Sequence, residues 1–326
     1  MISHKQSYQS IACLLVLCSV FFTTTPKAAY PEKPITLVIP FTPGGANDSL
    51  GRIIAQTLST ELKQSVIVEN RPGAGTTIGS EFVANAKPDG YTLLLVSAAH
   101  VISSSIYTKL RYDPVKSFTP IAQLTNSAYV LVTSKDSSIK SVQDLLKLAA
   151  KEPNKITYAS SGIGSAPHLA GALLAFKGNV DLVHVPYKGG GPALLDVMRG
   201  DTDVYFASQS GALPFIQSDK LRALGISTNT RSAALPNTPT IKEAGVAGFE
   251  LSGWYGVVAP SQTPQSVVQV LSEIIKKILS REDVQSMLAK HGEQAFTTKP
   301  EIFGQFLILE QKKYQEIIQI AKVDKE

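Results

Sequence analysis

Cysteine is nearly absent: the 326 residues hold two, Cys13 and Cys18, both close to the N-terminus. The rest of the chain therefore offers neither disulfides nor thiol chemistry. Charge is sparse as well, at 17% Asp, Glu, Lys and Arg, and the net +5 comes without a basic block. Nucleic acid is thereby excluded as an expected partner. His100, His168, His184 and His291 show no H-x-x-x-H or similar ligand spacing, so no metal site is expected. There is no G-x-S-x-G elbow either. A secreted serine hydrolase would need Ser161 or Ser165 as nucleophile and His168 or His100 as base, with no acidic residue assigned to orient the imidazole. The dinucleotide fingerprint also fails: Gly73, Gly75 and Gly79 give G-x-G-x-x-x-G, and the next strand ends in Ser97 instead of an acidic residue. That loop reads as a tight turn, and no cofactor is expected.

Long apolar runs are scarce too. The single one, Ile11 to Phe22, follows His4 and Lys5 and precedes small residues up to Ala29. This is the layout of a cleavable signal peptide, residues 1–29, and it is shorter than the ~18–20 residues that span a bilayer. Both cysteines would leave with that leader.

What remains is 44% apolar in composition and long enough for two domains. From Pro31 strands alternate with helices, the pattern of α/β domains with a mainly parallel sheet. The first strand, Ile35 to Ile39, is β-branched and continuously apolar, as suits a strand covered on both faces. Pro40 and Pro43 stop it, Gly44 and Gly45 keep the main chain open, and Leu50, Ile53, Ile54 and Leu58 repeat at helical spacing, with Asn47 or Asp48 as N-cap. Such a strand-loop-helix corner, here Thr42, Gly44, Gly45, Ala46, Asn47 and Asp48, presents free amides and the positive end of a helix dipole to an anion. An ordinary βα turn is the alternative.

Separate strands at Ile121–Leu124 and Tyr129–Thr133 lead into a second α/β unit. There the strand Ile156–Ala159 opens into Ser160, Ser161, Gly162, Ile163, Gly164 and Ser165 before another helix, with Pro167 in its first turn. Two such corners in separate units suggest a site between them. Ser97 and Ser208 stand at strand ends that can add contacts. Tyr187 either bridges a cleft through its hydroxyl or is a partly buried structural tyrosine. The segment Trp254–Pro260 reads as a strand re-entering the first unit, and the periodicity predicts helices at 264–280, 282–291 and 300–321.

Several stretches together resemble one known family. They are Tyr30-Pro31-Glu32-Lys33-Pro34-Ile35, Pro43-Gly44-Gly45 with Asp48, Val68-Glu69-Asn70-Arg71-Pro72-Gly73-Ala74-Gly75, Lys87-Pro88-Asp89-Gly90-Tyr91-Thr92-Leu93, His184-Val185-Pro186-Tyr187-Lys188-Gly189, Pro236-Asn237-Thr238-Pro239-Thr240 with Glu243-Ala244-Gly245, and Ala259-Pro260 before Thr263-Pro264. The sequence resembles the solute-binding receptors of tripartite tricarboxylate transporters, the Bug family, over its whole length beyond the leader. The resemblance implies a periplasmic-binding-protein-like fold of type II, a Venus flytrap with 30–125 plus 249–326 as one domain and 126–248 as the other. It implies a non-enzymatic, periplasmic and monomeric receptor for a small organic acid or acidic amino acid, passing its ligand to membrane permease subunits or presenting its closed form to a sensor protein. Carried onto this chain, the ligand carboxylate would lie between Thr42–Asp48 and Ser160–Ser165. Asp48, itself negative, would then cap helix amides and turn away from the ligand, or meet a cationic group on an amino-acid ligand.

Overall fold

The computed structural model describes residues 30–320 and Val323. The expected signal peptide lies outside these residues. Ten strands are joined in the order β2 (Val66–Asn70), β1 (Ile35–Ile39), β3 (Thr92–Ser97), β9 (Ser252–Pro260), β4 (Phe118–Ser134), β7 (Val204–Ser208), β5 (Thr157–Ser160) and β6 (Val183–Pro186), with β8 (Leu221–Ile226) and β10 (Glu293–Ala295) added along β4.

The outer part of the first lobe is parallel: β1 (Ile35–Ile39) lies between β2 (Val66–Asn70) and β3 (Thr92–Ser97). The apolar run of β1 is buried on both faces. Ile35, Leu37 and Ile39 join one core with α1 (Ala46–Leu62) and α8 (Gln265–Leu279), while Val38 joins the core on the other side. Leu50, Ile54 and Leu58 form the buried stripe of α1. Gly51 brings that helix onto the sheet, since a Cβ there would lie 2.3 Å from Ile39 Cδ1.

The second lobe repeats the plan with β5 (Thr157–Ser160) between β6 (Val183–Pro186) and β7 (Val204–Ser208), all parallel. Its helices are α4 (Val142–Lys151), α5 (Ala166–Gly178), α6 (Gly190–Arg199) and α7 (Gln209–Gln217). Ser141 caps α4 by accepting the Asp144 N–H at 3.0 Å.

The two strands expected at 121–124 and 129–133 are one strand, β4 (Phe118–Ser134). Asn126, Ser127 and Ala128 keep the chain extended because each pairs with β9 (Ser252–Pro260), opposite Trp254, Gly253 and Ser252. From Tyr129 onward the same strand pairs instead with β7 and with β8 (Leu221–Ile226). All of these pairings are antiparallel, so each lobe has a parallel outer part and an antiparallel seam. The chain returns between β8 and β9, where Leu251 N–H bonds Ser227 O and Phe249 stacks on Phe206 at 5.5 Å.

Two helices begin directly at strand ends: α3 (Ala98–Ile106) after Ser97, and α7 after Ser208. Past α8 come α9 (Glu282–Lys290), the short strand β10 (Glu293–Ala295) and α10 (Pro300–Ile320), while α2 (Thr77–Ala84) follows the turn at 74–76. Helix α10 covers the seam, where Trp254 Nε1 donates to the buried Glu310 carboxylate at 2.8 Å. No helix among the described residues is long and apolar enough to cross a membrane.

Candidate functional site

Strand register decides which sequence-predicted residues meet. In the first lobe Val38 lies opposite Leu94, so the chain leaving β1 reaches Thr42 just beyond the level of Ser97. In the second, Ala159 lies opposite Tyr205 and Ser160 opposite Pro186, which brings Ser160–Ser165, Tyr187 and Ser208 to one sheet edge. Both groups occupy carboxyl ends of parallel strands, where α/β sheets offer ligand sites.

Thr42, Gly44 and Gly45 are exposed, Asn47 is half-buried, and Asp48 is 4% exposed. Helix α1 starts earlier than expected. Its N-cap is Gly45 and Ala46 is its first residue, so neither Asn47 nor Asp48 caps it. Gly44 has φ +86, which folds the loop back toward the Asp48 side chain. Asp48 Oδ2 accepts the Gly44 N–H and Arg52 Nε, each at 2.9 Å, while Oδ1 accepts Asn70 Nδ2, also at 2.9 Å. Asn70 Nδ2 in turn reaches Phe41 O at 3.0 Å. Burial alone would raise the Asp48 pKa; the hydrogen bonds from Arg52, Gly44 and Asn70 outweigh it and leave the carboxyl below its ordinary value. Asp48 is thus a buried anion, holding three hydrogen bonds, that braces the loop. The first amides of α1 have no intrahelical acceptor, and a glycine N-cap has no side chain to cover them.

The second corner is held from below. Ser160, fully buried, has its hydroxyl 2.6 Å from His184 Nε2 and accepts the Gly162 N–H at 3.1 Å. Gly164 N–H donates to His168 Nδ1 at 3.2 Å. Ser165 caps α5, donating its hydroxyl to Gly162 O at 2.7 Å and accepting the His168 N–H at 3.4 Å. The amides of Ser161 and Ile163 make none of these bonds. Ser161 sits beside Tyr205, whose hydroxyl also approaches Gly190.

The remaining strand-end residues have their own partners. Tyr187 packs on the core beneath β7, its hydroxyl 2.7 Å from Thr202 Oγ1 within the same lobe. Ser208 accepts the Gly211 N–H and the Ser210 hydroxyl, each at 3.3 Å. Ser97 caps α3 without a side-chain bond. The lobes touch beside these loops. A Cβ on Gly164 would lie 3.2 Å from Ile106 Cγ1, and one on Gly292 would lie 2.7 Å from Ser210 N.

Hydrolytic chemistry finds no geometry here. His100 lies between Ser80 and Pro114 O, while Ser165 bonds the main chain of His168, not its ring. The two close Ser–His pairs among the described residues, Ser80–His100 and Ser160–His184, are both sealed, with each serine at 0% exposure. Among the described residues no group of three or more His, Cys, Asp or Glu side chains is placed to hold a metal ion.

The braces Arg52, Asn70 and His184 do not stand out as site residues in the sequence pattern, and His168 does so only as the candidate base of a hydrolase. Arg52 follows Asp48 by one helical turn, an i,i+4 ion-pair spacing that a helix-face reading reveals. Asn70 ends the strand beside β1, and only the sheet order exposes its role.

The family model described as "Tripartite tricarboxylate transporter family receptor" matches residues 50–323. The protein of the tcbD-tcbE intergenic region of Pseudomonas sp. (strain P51) is 40% identical over 291 residues, covering 89% of this chain and 87% of its own. Among solved structures, the periplasmic binding protein BugD superposes with a TM-score of 0.83 at 32% identity, over 91% of this chain and 100% of its own. R. palustris Rpa4515 with adipate gives 0.86 at 30% identity, with 91% and 100% covered. MatC (Rpa3494) from Rhodopseudomonas palustris with bound malate gives 0.81 at 30% identity, with 89% and 100% covered.

Proposed function

The chain belongs to the tripartite tricarboxylate transporter receptor family, and from that premise we propose that it captures a small organic acid in the periplasm and delivers it to the permease subunits of such a transporter. It is a solute-binding protein of the two-lobed periplasmic-binding-protein fold, not an enzyme. Adipate and malate, the acids named with two of its structural neighbours, are the first ligands to test.

The observation that carries the carboxylate reading is the pair of braced corners, one on each lobe. At the first, Asp48 takes up the Gly44 N–H and leaves the amides at the start of α1 for a guest. At the second, the loop amides of Ser161 and Ile163 are the matching donors. A carboxylate between them receives charge-assisted hydrogen bonds from both sides. The lobes are 30–125 with 249–326, and 126–248, hinged on β4 and the return segment. Ligand favours the closed state by its differential affinity, and a shift from about 1:99 to 99:1 takes roughly 5.5 kcal/mol. Asp48 is buried and already accepts three hydrogen bonds, which favours a plain carboxylic acid over an amino acid.

A thermal-shift screen of the protein without residues 1–29, against mono-, di- and tricarboxylates, aromatic acids and acidic amino acids, tests this reading. A specific ligand raises the melting temperature in step with RT ln(1 + [L]/Kd). The absence of any shift across the panel would overturn it.

A further inference from the structure

The loop of the second lobe is unusual in what supports it. Gly162 and Gly164 both adopt positive φ, +127 and +71, so the loop reverses twice and needs outside contacts to hold one shape. Those contacts come from two imidazoles stacked face to face, His168 and His184, with centroids 3.8 Å apart and planes 11° apart. The first ring takes the Gly164 N–H through Nδ1, and the second holds Ser160, which itself takes the Gly162 N–H. Each glycine amide of the loop is therefore anchored, directly or through one serine, on a ring of the pair.

We propose that the His168–His184 stack is the positioning device of the second carboxylate loop, which keeps its binding shape only while His168 Nδ1 accepts the Gly164 N–H. This rests on the reading of Ser160–Ser165 as one jaw of the site. An imidazole that accepts through Nδ1 carries its proton on Nε2 when neutral. A second proton makes Nδ1 a donor and sets it against the Gly164 N–H.

The surroundings keep the pair uncharged. Tyr158 on β5 stacks at 5.0 Å from His184 and 6.4 Å from His168, and is itself seated on Gly171 of α5. Ile106 of α3 covers the Gly164 side. Tyr158 is the remaining titratable side chain in ring contact with the pair, and no acidic side chain lowers the cost of a proton on either ring. Burial pushes the His168 ring down to about 4, and burial together with the neighbouring His168 brings His184 to about 4 as well. Since the folded values lie below the ordinary histidine value near 6.5, the native arrangement is favoured at neutral pH and weakens as pH falls toward the folded values. The stack thus holds the loop at neutral pH and releases it in acid.

Nuclear magnetic resonance of the 15N-labelled protein tests the device without any ligand. At about pH 7 the His168 ring should show an unprotonated, hydrogen-bonded Nδ1 and Gly164 a slowly exchanging amide. On acidification the Gly164 signal should move with the same midpoint as the His168 ring. A protonated Nδ1 at neutral pH, or a Gly164 amide indifferent to ring protonation, overturns the proposal. In a second arm, adipate binding is compared in His168→Asn, whose Oδ1 can replace the Nδ1 acceptor, and His168→Leu, which has none. The leucine variant should bind about tenfold more weakly or worse, the size of one lost hydrogen bond, and the asparagine variant should recover most of that loss. Equal binding in the two variants overturns the proposal. If wild-type protein binds no carboxylate at all, the carboxylate reading fails, while the resonance arm still decides whether the histidines position the loop.

Discussion

Removing the Asp48 carboxylate should both destabilise the first lobe and weaken ligand binding, because one buried side chain ties together the loop, helix α1 and strand β2. In Asp48→Ala three hydrogen bonds disappear, from Gly44 N–H, Arg52 Nε and Asn70 Nδ2. Asn70 keeps its bond to Phe41 O, and the half-exposed Arg52 side chain regains water. The loss therefore falls below the sum of three charge-assisted bonds, at about 2 kcal/mol. For a domain of this size that lowers the melting temperature by about 4–8 °C. Carboxylate affinity should fall with it, since Gly44 and the start of α1 lose their anchor. The pH dependence has a definite sign. The folded Asp48 pKa is depressed, so its contribution is fully present above the unfolded value near 3.9 and disappears as pH falls through the lower folded value. Melting curves of wild type and variant should be well separated at neutral pH and converge in strong acid. A variant that melts with wild type at neutral pH would refute the brace.

Gly45 has φ −86, and no atom lies within 4 Å of where a Cβ would sit, so Gly45→Leu should fold normally while its side chain fills the space over the α1 amides and abolishes carboxylate binding by calorimetry. Gly256→Ala places a methyl 2.2 Å from the buried Phe303 ring; denaturation should show a loss of about 1–3 kcal/mol from overpacking under α10. Glu293, buried beside Thr125 at the seam, has its pKa raised to about 7 by burial, partly offset by hydrogen bonds from Thr125 and Ser127. A raised carboxyl pKa means that stability is lost as pH rises from the unfolded value toward the folded one. Glu293→Gln should accordingly melt like wild type near pH 5 and above it near pH 8.5, and the reverse order would contradict that burial.

The parallel strands and the two strand-loop-helix corners were legible because their signals are local. The apolar run of β1 ends in Pro40 and Pro43, and Ser160–Ser165 sits between a strand and a helix whose first turn carries Pro167. What was hidden depends on contacts between distant segments or on missing punctuation. Helices α3 and α7 start at the residue after a strand, with no glycine or proline to mark the change. Strand β10 exists because Glu293 to Ala295 pair with Ser127 to Thr125, far earlier in the chain. The seam strand reads as two pieces because the polar residues Thr125, Asn126 and Ser127 interrupt its apolar pattern, and pairing with β9 keeps them extended. Asp48 was expected to cap helix amides and turn from the ligand, or to meet a cationic group on an amino-acid ligand; its partners in the structure, Gly44, Arg52 and Asn70, emerge only when the loop, the helix and β2 are brought together.

One carboxylate held between the two corners would be directly visible with the ligand bound. A crystal structure grown with the acid giving the largest thermal shift tests it most directly. The ligand carboxylate should lie within hydrogen-bond distance of main-chain N–H groups at the start of α1 and, at the same time, of Ser161 or Ile163. A ligand whose carboxylate touches only one of the two loops, or neither, would contradict it.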